Sequence, residues 1–120
     1  ANFTEEQIQQ CWEKGLTVDG YDKNKYRLDF CGAWIQRDQY GKETAYGWEI
    51  DHVYPSSKGG TEDLKNLRPM QWENNRSKGD DYPEYTCAIT SKDNKNVSTD
   101  IGKIVNHDLQ SVLKVKFKIK

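Results

Sequence analysis

The spacing of apolar residues near the start of the chain predicts a short amphipathic helix. Thr4 begins a capping box, and Ile8, Cys11 and Trp12 then recur at the i, i+3 and i+4 spacing of one helix face. We therefore expect a helix over residues 5–14 that turns its Trp-bearing face toward the core.

The next apolar positions predict strands. Residues 33–35 and 45–53 each form a short apolar stretch, and a polar turn separates them. We expect these two strands to pair as an antiparallel hairpin in which Trp34 and Trp48 pack against each other across the strands.

Four further elements are predicted in the second half of the chain. Residues 67–70 form a strand that Pro69 limits to a sheet edge, and residues 71–78 form a helix without Gly or Pro. Residues 86–90 are strand-like. Residues 112–120 alternate between apolar side chains and Lys, and this period of two predicts a half-buried strand at the C-terminal end.

Composition is consistent with a single folded domain over residues 1–120. Only 34% of the residues are hydrophobic, but 12% are aromatic, which predicts a small core built from aromatic rings. No apolar run approaches the roughly 20 residues of a membrane span, so we expect no membrane partner. Residues 1–12 do not resemble a secretory signal. The expected fold class is α+β.

The three cysteines lie far apart, at Cys11, Cys31 and Cys87, without C-x-x-C spacing. Such a pattern argues against a zinc knuckle and favours free thiols in a reducing compartment. We accordingly expect a cytoplasmic protein.

The candidate chemistry lies in the stretch from Gly47 to Asp80. Asp51 and His52 are adjacent near the end of a predicted strand, just before Pro55 and a Gly-rich loop. Neighbouring strand residues point to opposite faces, so both can serve one site only where the strand ends or bends. A carboxylate can bind a divalent cation, and a neutral His near pH 7 can deprotonate water.

Two asparagines have different expected tasks. The amide oxygen of Asn75, on the predicted helix, can bind a cation held by Asp51, and oxygen ligands favour Mg²⁺ or Mn²⁺. Asn74 is the competing assignment, because a shift of one residue turns the side chain by about 100° around the helix. Asn66 can bridge backbone amides and carbonyls and so hold the Gly-rich loop.

In their order and spacing these residues resemble the HNH endonuclease family, which has a ββα-metal fold. The elements that carry the resemblance are Asp51-His52, Pro55, Gly59-Gly60, Asn66-Leu67, Asn75, Lys78 and Gly79-Asp80.

The resemblance implies a role for each matching residue. His52 would be the general base, Asp51 and Asn75 would bind one divalent cation, and Asn66 would be the catalytic-site residue that orients the base or its loop. The expected architecture is a ββα-metal core over residues 47–80, flanked by an N-terminal helix and a C-terminal β segment.

This chain departs from many family members in two ways. Gln71 and Asn74 stand where a zinc-binding Cys pair would fall, so we predict no structural zinc. Asn75 stands where many members have His, and a neutral amide favours the harder ions Mg²⁺ and Mn²⁺.

The resemblance implies a metal-dependent endonuclease that acts on DNA, most simply double-stranded DNA. Arg68, Arg76 and Lys78 are candidates for substrate phosphate contacts, since guanidinium and ammonium groups bind phosphate. The last twenty residues hold five Lys against one Asp. That Lys row either protects an edge strand or contacts the DNA backbone. Cleavage of both strands would require a homodimer or two encounters.

Two alternatives remain open from the sequence. One is a non-catalytic DNA-binding module on the same fold, which would bind DNA without cutting it. The other is the nuclease domain of a secreted toxin, which a cognate immunity protein or a longer parent chain would reveal.

Overall fold

The computed structural model describes residues 2–120. This part of the chain contains three α-helices and four two-stranded antiparallel sheets, joined by loops and short 3₁₀ turns. This arrangement has the α+β class that the sequence predicts. The helices are α1 (Glu5–Trp12), α2 (Trp72–Lys78) and α3 (His107–Phe117). The strands are β1 (Tyr26–Leu28), β2 (Trp34–Gln36), β3 (Trp48–His52), β4 (Leu67–Gln71), β5 (Glu84–Thr86), β6 (Ile89–Lys92), β7 (Lys95–Ser98) and β8 (Gly102–Ile104).

The predicted N-terminal helix is present as α1, which is two residues shorter at its C-terminal end than expected. Thr4 Oγ1 accepts from the Gln7 backbone N–H at 3.1 Å, and Gln7 Oε1 accepts from the Thr4 N–H at 2.9 Å. These reciprocal bonds satisfy donors that the helix start leaves unpaired. Trp12 is fully buried against Trp48 of β3, with ring centroids 5.4 Å apart. Helix α1 thus packs on the strand that carries the candidate site.

Strands β3 and β4 form an antiparallel pair, and α2 follows β4 without a loop. The register places Asp51 opposite Arg68 and His52 opposite Leu67. Gln71 ends β4 and caps α2, because its Oε1 accepts from the backbone N–H groups of Glu73 and Asn74. The predicted order of strand, loop, strand and helix is therefore present.

The predicted pairing of the strands around Trp34 and Trp48 is wrong. Strand β2 pairs with β1, and β3 pairs with β4. The reason lies at Asp29, whose Oδ1 accepts from the N–H groups of Cys31 and Ala33, both at 2.9 Å. This carboxylate closes a tight turn that joins β1 to β2, and Trp34 packs on Tyr21 with ring centroids 4.7 Å apart.

The predicted C-terminal strand over residues 112–120 is also wrong, because most of this segment is helix α3. The Asn106 side chain accepts from the Leu109 N–H at 2.8 Å and starts the helix. Leu109, Leu113 and Phe117, four residues apart, pack in the second core cluster, while the Val115 residue is 81% exposed. The apolar alternation along this segment does not mark a sheet face.

The strand predicted over residues 86–90 is divided between two elements. Strand β5 ends at Thr86 and pairs with β8, whereas β6 begins at Ile89 and pairs with β7. The break falls at Cys87 and Ala88, between two separate sheets. None of the three helices in the described part of the chain has the length and apolar character needed to cross a membrane.

The expectation of three free thiols is wrong for two of them. Cys31 and Cys87 form a disulfide across 56 residues, with their Cα atoms 5.8 Å apart. Cys11 is a free, buried thiol, and burial raises its pKa to about 12. Disulfides persist mainly in oxidising compartments, so the argument from free thiols for a cytoplasmic location no longer holds.

We expect thiol titration to report this pairing directly. The native protein should release almost no colour from a thiol reagent such as DTNB, because Cys11 is buried and protonated. After denaturation without reductant the reagent should count one thiol per chain, and after reduction three. Three reactive thiols before reduction would contradict the disulfide.

Candidate functional site

Asp51, His52 and Asn75 meet at one shallow cleft of about 150 Å³. The first two residues come from the end of β3 and the third from α2. The loop after β3 closes another side of the cleft, and Asp80, just past α2, also contributes to its lining. The structure therefore brings together the three side chains that the sequence assigned to base and metal binding.

Both Asp51 and His52 reach this cleft because β3 ends at His52. Val53 N–H then donates to Asn66 O, and Pro55 opens a short 3₁₀ turn that carries the chain away. The Asp51 side chain is 3% exposed, whereas that of His52 is 22% exposed. His52 Nε2 lies 3.6 Å from Glu62 Oε2. The imidazole is thus open to water and sits beside a carboxylate, a neighbour that the sequence pattern did not reveal.

Asn66 anchors the loop between β3 and β4. It is fully buried, its Oδ1 accepts from Tyr54 N–H at 2.7 Å, and its Nδ2 donates to Tyr54 O and Thr61 O, both at 3.0 Å. Gly60 lies so close that a Cβ there would be 1.8 Å from Tyr54 O. These contacts fix the backbone that follows His52 and explain why the loop requires Gly at position 60.

Asp51 is the centre of a buried ionic cluster. Its Oδ2 lies 3.2 Å from Arg68 Nε, and its Oδ1 lies 3.2 Å from Lys78 Nζ. Lys78 Nζ also donates to the backbone oxygens of His52 and Val53. Burial lowers the pKa of Lys78, and the negative charge of Asp51 opposes that shift. The carboxylate is thereby held between two cations under the cleft.

The three basic residues predicted to contact substrate phosphates are all paired with carboxylates of the protein. Arg68 and Lys78 are 5% and 1% exposed and are engaged with Asp51, so their positions do not support the expectation that they contact phosphates. The Arg68 guanidinium carbon lies 5.3 Å from the ring centroid of Phe30 and 5.1 Å from that of Tyr85, and Nη2 has no partner among the described residues. Arg76 stays at the surface, paired with Glu43 at 3.0 Å, which raises its pKa.

The two neighbouring asparagines have different environments. Asn74 is fully buried, and its side chain bonds Asp29 and the backbone of Ala88 and Ile89. Asn75 is half-buried and lines the cleft. Its Nδ2 donates to Glu49 Oε1 at 3.1 Å, which leaves the amide oxygen as the group available to a cation. The structure thus favours Asn75 over Asn74 as the candidate ligand.

The groups around the cleft that could bind a cation are oxygen donors. They are the carboxylates of Asp51 and Asp80 and the amide of Asn75, all oxygen ligands of the kind that Mg²⁺ and Mn²⁺ accept. Over residues 2–120 no group of three or more His, Cys, Asp or Glu side chains is arranged to hold a metal ion. Such a sparse shell would leave most coordination positions to water and substrate, and the cation would share Asp51 with Arg68 and Lys78.

Comparison of the chain with protein-family models, with curated proteins and with solved structures gives no match.

Proposed function

We propose that the chain is a metal-dependent endonuclease of the HNH type that hydrolyses phosphodiester bonds in DNA, with a ββα-metal core over residues 47–80. The observation that carries this proposal is the convergence of Asp51, His52 and Asn75 on one cleft, although they come from a strand and a helix. A base beside two oxygen donors that could hold a divalent cation would supply the two functions that metal-assisted hydrolysis of a phosphodiester uses.

In this proposal His52 takes a proton from the attacking water. The Glu62 carboxylate, 3.6 Å from Nε2, stabilises the imidazolium that this transfer produces. Asn66 keeps the base in position by holding the backbone of the next loop residues. Asp51 and Asn75 would hold the divalent cation, which when bound supplies Lewis-acid stabilisation of the charge on the phosphate and the leaving oxygen.

The Cys31–Cys87 disulfide favours one of the alternative settings for this activity. Since disulfides are typical of secreted and other oxidised proteins, a nuclease that acts outside a reducing cytoplasm, such as a domain of a secreted toxin, agrees better with the cysteine pairing.

The direct test is incubation of supercoiled plasmid with the protein in Mg²⁺ or Mn²⁺. We expect nicked circles to form before linear DNA, because one cleft cuts one strand at a time, and we expect EDTA to abolish both products. A homodimer that cuts both strands would give linear DNA without the nicked intermediate. DNA binding without cleavage in any divalent ion would contradict the nuclease proposal and favour the non-catalytic module.

A further inference from the structure

A second and larger cleft, of about 500 Å³, lies between the loop after β3 and helix α3. Tyr54 and Lys58 come from the loop, Tyr82 follows α2, and Lys114 belongs to α3. The volume lies within the range of roughly 300–1,000 Å³ that is typical of small-ligand sites. The cleft is therefore large enough to take one nucleotide.

The charge of this cleft favours an anion. Its lining includes Lys58, Lys114 and Lys120 and no carboxylate side chain. Within residues 2–120 these three lysines form no ion pair. By contrast, Lys116, which lies on α3 with Lys114, is paired with Asp63, and its Nζ is 2.8 Å from Asp63 Oδ2. Three unneutralised ammonium groups around one cavity attract a polyanion.

Aromatic rings form another part of the same lining. The Tyr54 ring stacks on Phe117 with centroids 5.6 Å apart and an interplanar angle of 20°, so helix α3 supports it from one side. Tyr82 meets Tyr54 edge to face at 5.1 Å. Burial and the neighbouring Tyr54 raise the pKa of Tyr82. Lysines combined with partly exposed rings are typical of sites for single-stranded nucleic acid.

The two clefts are connected through one rigid piece of chain. Tyr54 lies two residues after His52, a separation of at most about 7 Å along the backbone. Asn66 fixes both the N–H and the C=O of Tyr54. Ser56, in the same loop, lines the smaller cleft, whereas Lys58 lines the larger one. Consecutive nucleotides of one strand can therefore occupy both clefts.

We propose that the larger cleft binds an unpaired nucleotide next to the cut, with backbone phosphates on Lys58, Lys114 and Lys120 and the base against Tyr82. This inference rests on the nuclease function proposed above, because it places the nucleotide relative to His52. It also refines the substrate. A base inside a duplex is stacked and paired and cannot reach the Tyr82 ring, so the substrate carries a single-stranded segment beside the cleaved bond.

The test uses His52→Ala protein in EDTA, so that binding is measured without cleavage. Fluorescence anisotropy would compare oligo(dT), oligo(rU) and a duplex of the same length. We expect single strands to bind more tightly than the duplex, and the tighter of the two single strands identifies DNA or RNA. Tyr82→Leu should weaken single-strand binding roughly 5- to 150-fold, the range for loss of one base–aromatic stack, while Tyr82→Phe should bind like the parent.

A second measurement depends on charge alone. Removal of one lysine that neutralises a phosphate should reduce the slope of log K against log salt by about 0.7 for a single strand. We expect Lys58→Gln with Lys114→Gln to reduce that slope, and Lys95→Gln, an exposed lysine on β7, to leave it unchanged. The thermal midpoint of each variant reports whether it is folded, and the lysine variants decide the outcome if Tyr82→Leu does not fold.

Duplex binding at least as tight as single-strand binding would overturn the proposal, as would an unchanged salt slope in the lysine variants. Failure of this binding proposal is distinguishable from failure of the nuclease proposal, because the binding measurements use His52→Ala protein in EDTA and involve no cleavage. If the parent protein leaves both the plasmid and the more tightly bound single strand intact in every metal, while Tyr82 still contributes to strong single-strand binding, the nuclease proposal is refuted and the larger cleft remains as a binding site.

Discussion

Replacement of His52 with Ala will lower the rate of metal-dependent DNA cleavage by about 10²- to 10⁴-fold, the range expected for loss of a general base. His52 lines the candidate cleft at the end of β3, with its side chain 22% exposed and Glu62 beside it. The side chain is not part of either core cluster. The substitution should therefore remove the proton acceptor while the thermal midpoint stays within a few degrees of the parent.

The chain offers a matched control, because it has one other histidine. His107 begins α3 and does not line the candidate cleft. We expect His107→Ala to cleave plasmid at the parent rate under the same conditions. Equal cleavage by His52→Ala and the parent would refute the assignment of the base. Partial recovery of the His52→Ala rate by added imidazole would support proton transfer over a purely structural effect.

The parts of this fold that were predictable from sequence are those set by neighbouring residues. The Thr4–Gln7 capping box needs only a few residues to close, and α1 begins where it predicts. The succession of β3, loop, β4 and α2 is marked by local punctuation, since Pro55 opens the loop and Gly79 ends the helix. In each case the sequence segment contains both partners of the interaction that fixes the structure.

The C-terminal error shows how a local pattern can have two solutions. Leu113 and Phe117 satisfy a period of two with the residues between them, and they also lie four residues apart on one helix face. Periodicity alone does not separate the two over so short a segment. The Asn106 cap was the signal that favoured a helix, and it lies outside the alternating residues.

Interactions between distant residues were not accessible from the sequence. Cys31 and Cys87 are 56 residues apart, and spacing does not say which cysteines pair. Contacts between distant residues inside the candidate site were not predicted either. Arg68 and Lys78 were predicted as candidates for phosphate contacts, and their burial beside Asp51 was not foreseen, because it follows from the register of β3 with β4 and from the packing of α2.

Replacement of Asp51 with Ala will destabilise the protein by about 3–5 kcal/mol, the range measured when one partner of a buried ion pair is removed. The variant leaves Arg68 and Lys78 buried without their shared counter-charge. Denaturant unfolding should show a lower midpoint without a large change in slope. Asp80→Ala is the control, because Asp80 lines the same cleft but is exposed and makes no ion pair among the described residues.

A double-mutant cycle with Lys78→Met separates this electrostatic effect from loss of packing. Once Asp51 is gone, the Lys78 ammonium is a buried charge, and its removal should cost less than it does in the parent. We therefore expect the double variant to be more stable than the sum of the two single changes predicts, by roughly 0.5–3 kcal/mol. Additive losses would contradict the coupling of Asp51 to Lys78. Both variants that lack Asp51 should lose cleavage even under conditions in which their denaturant curves show them to be folded, and that result would separate the role of Asp51 at the proposed metal site from its role in the fold.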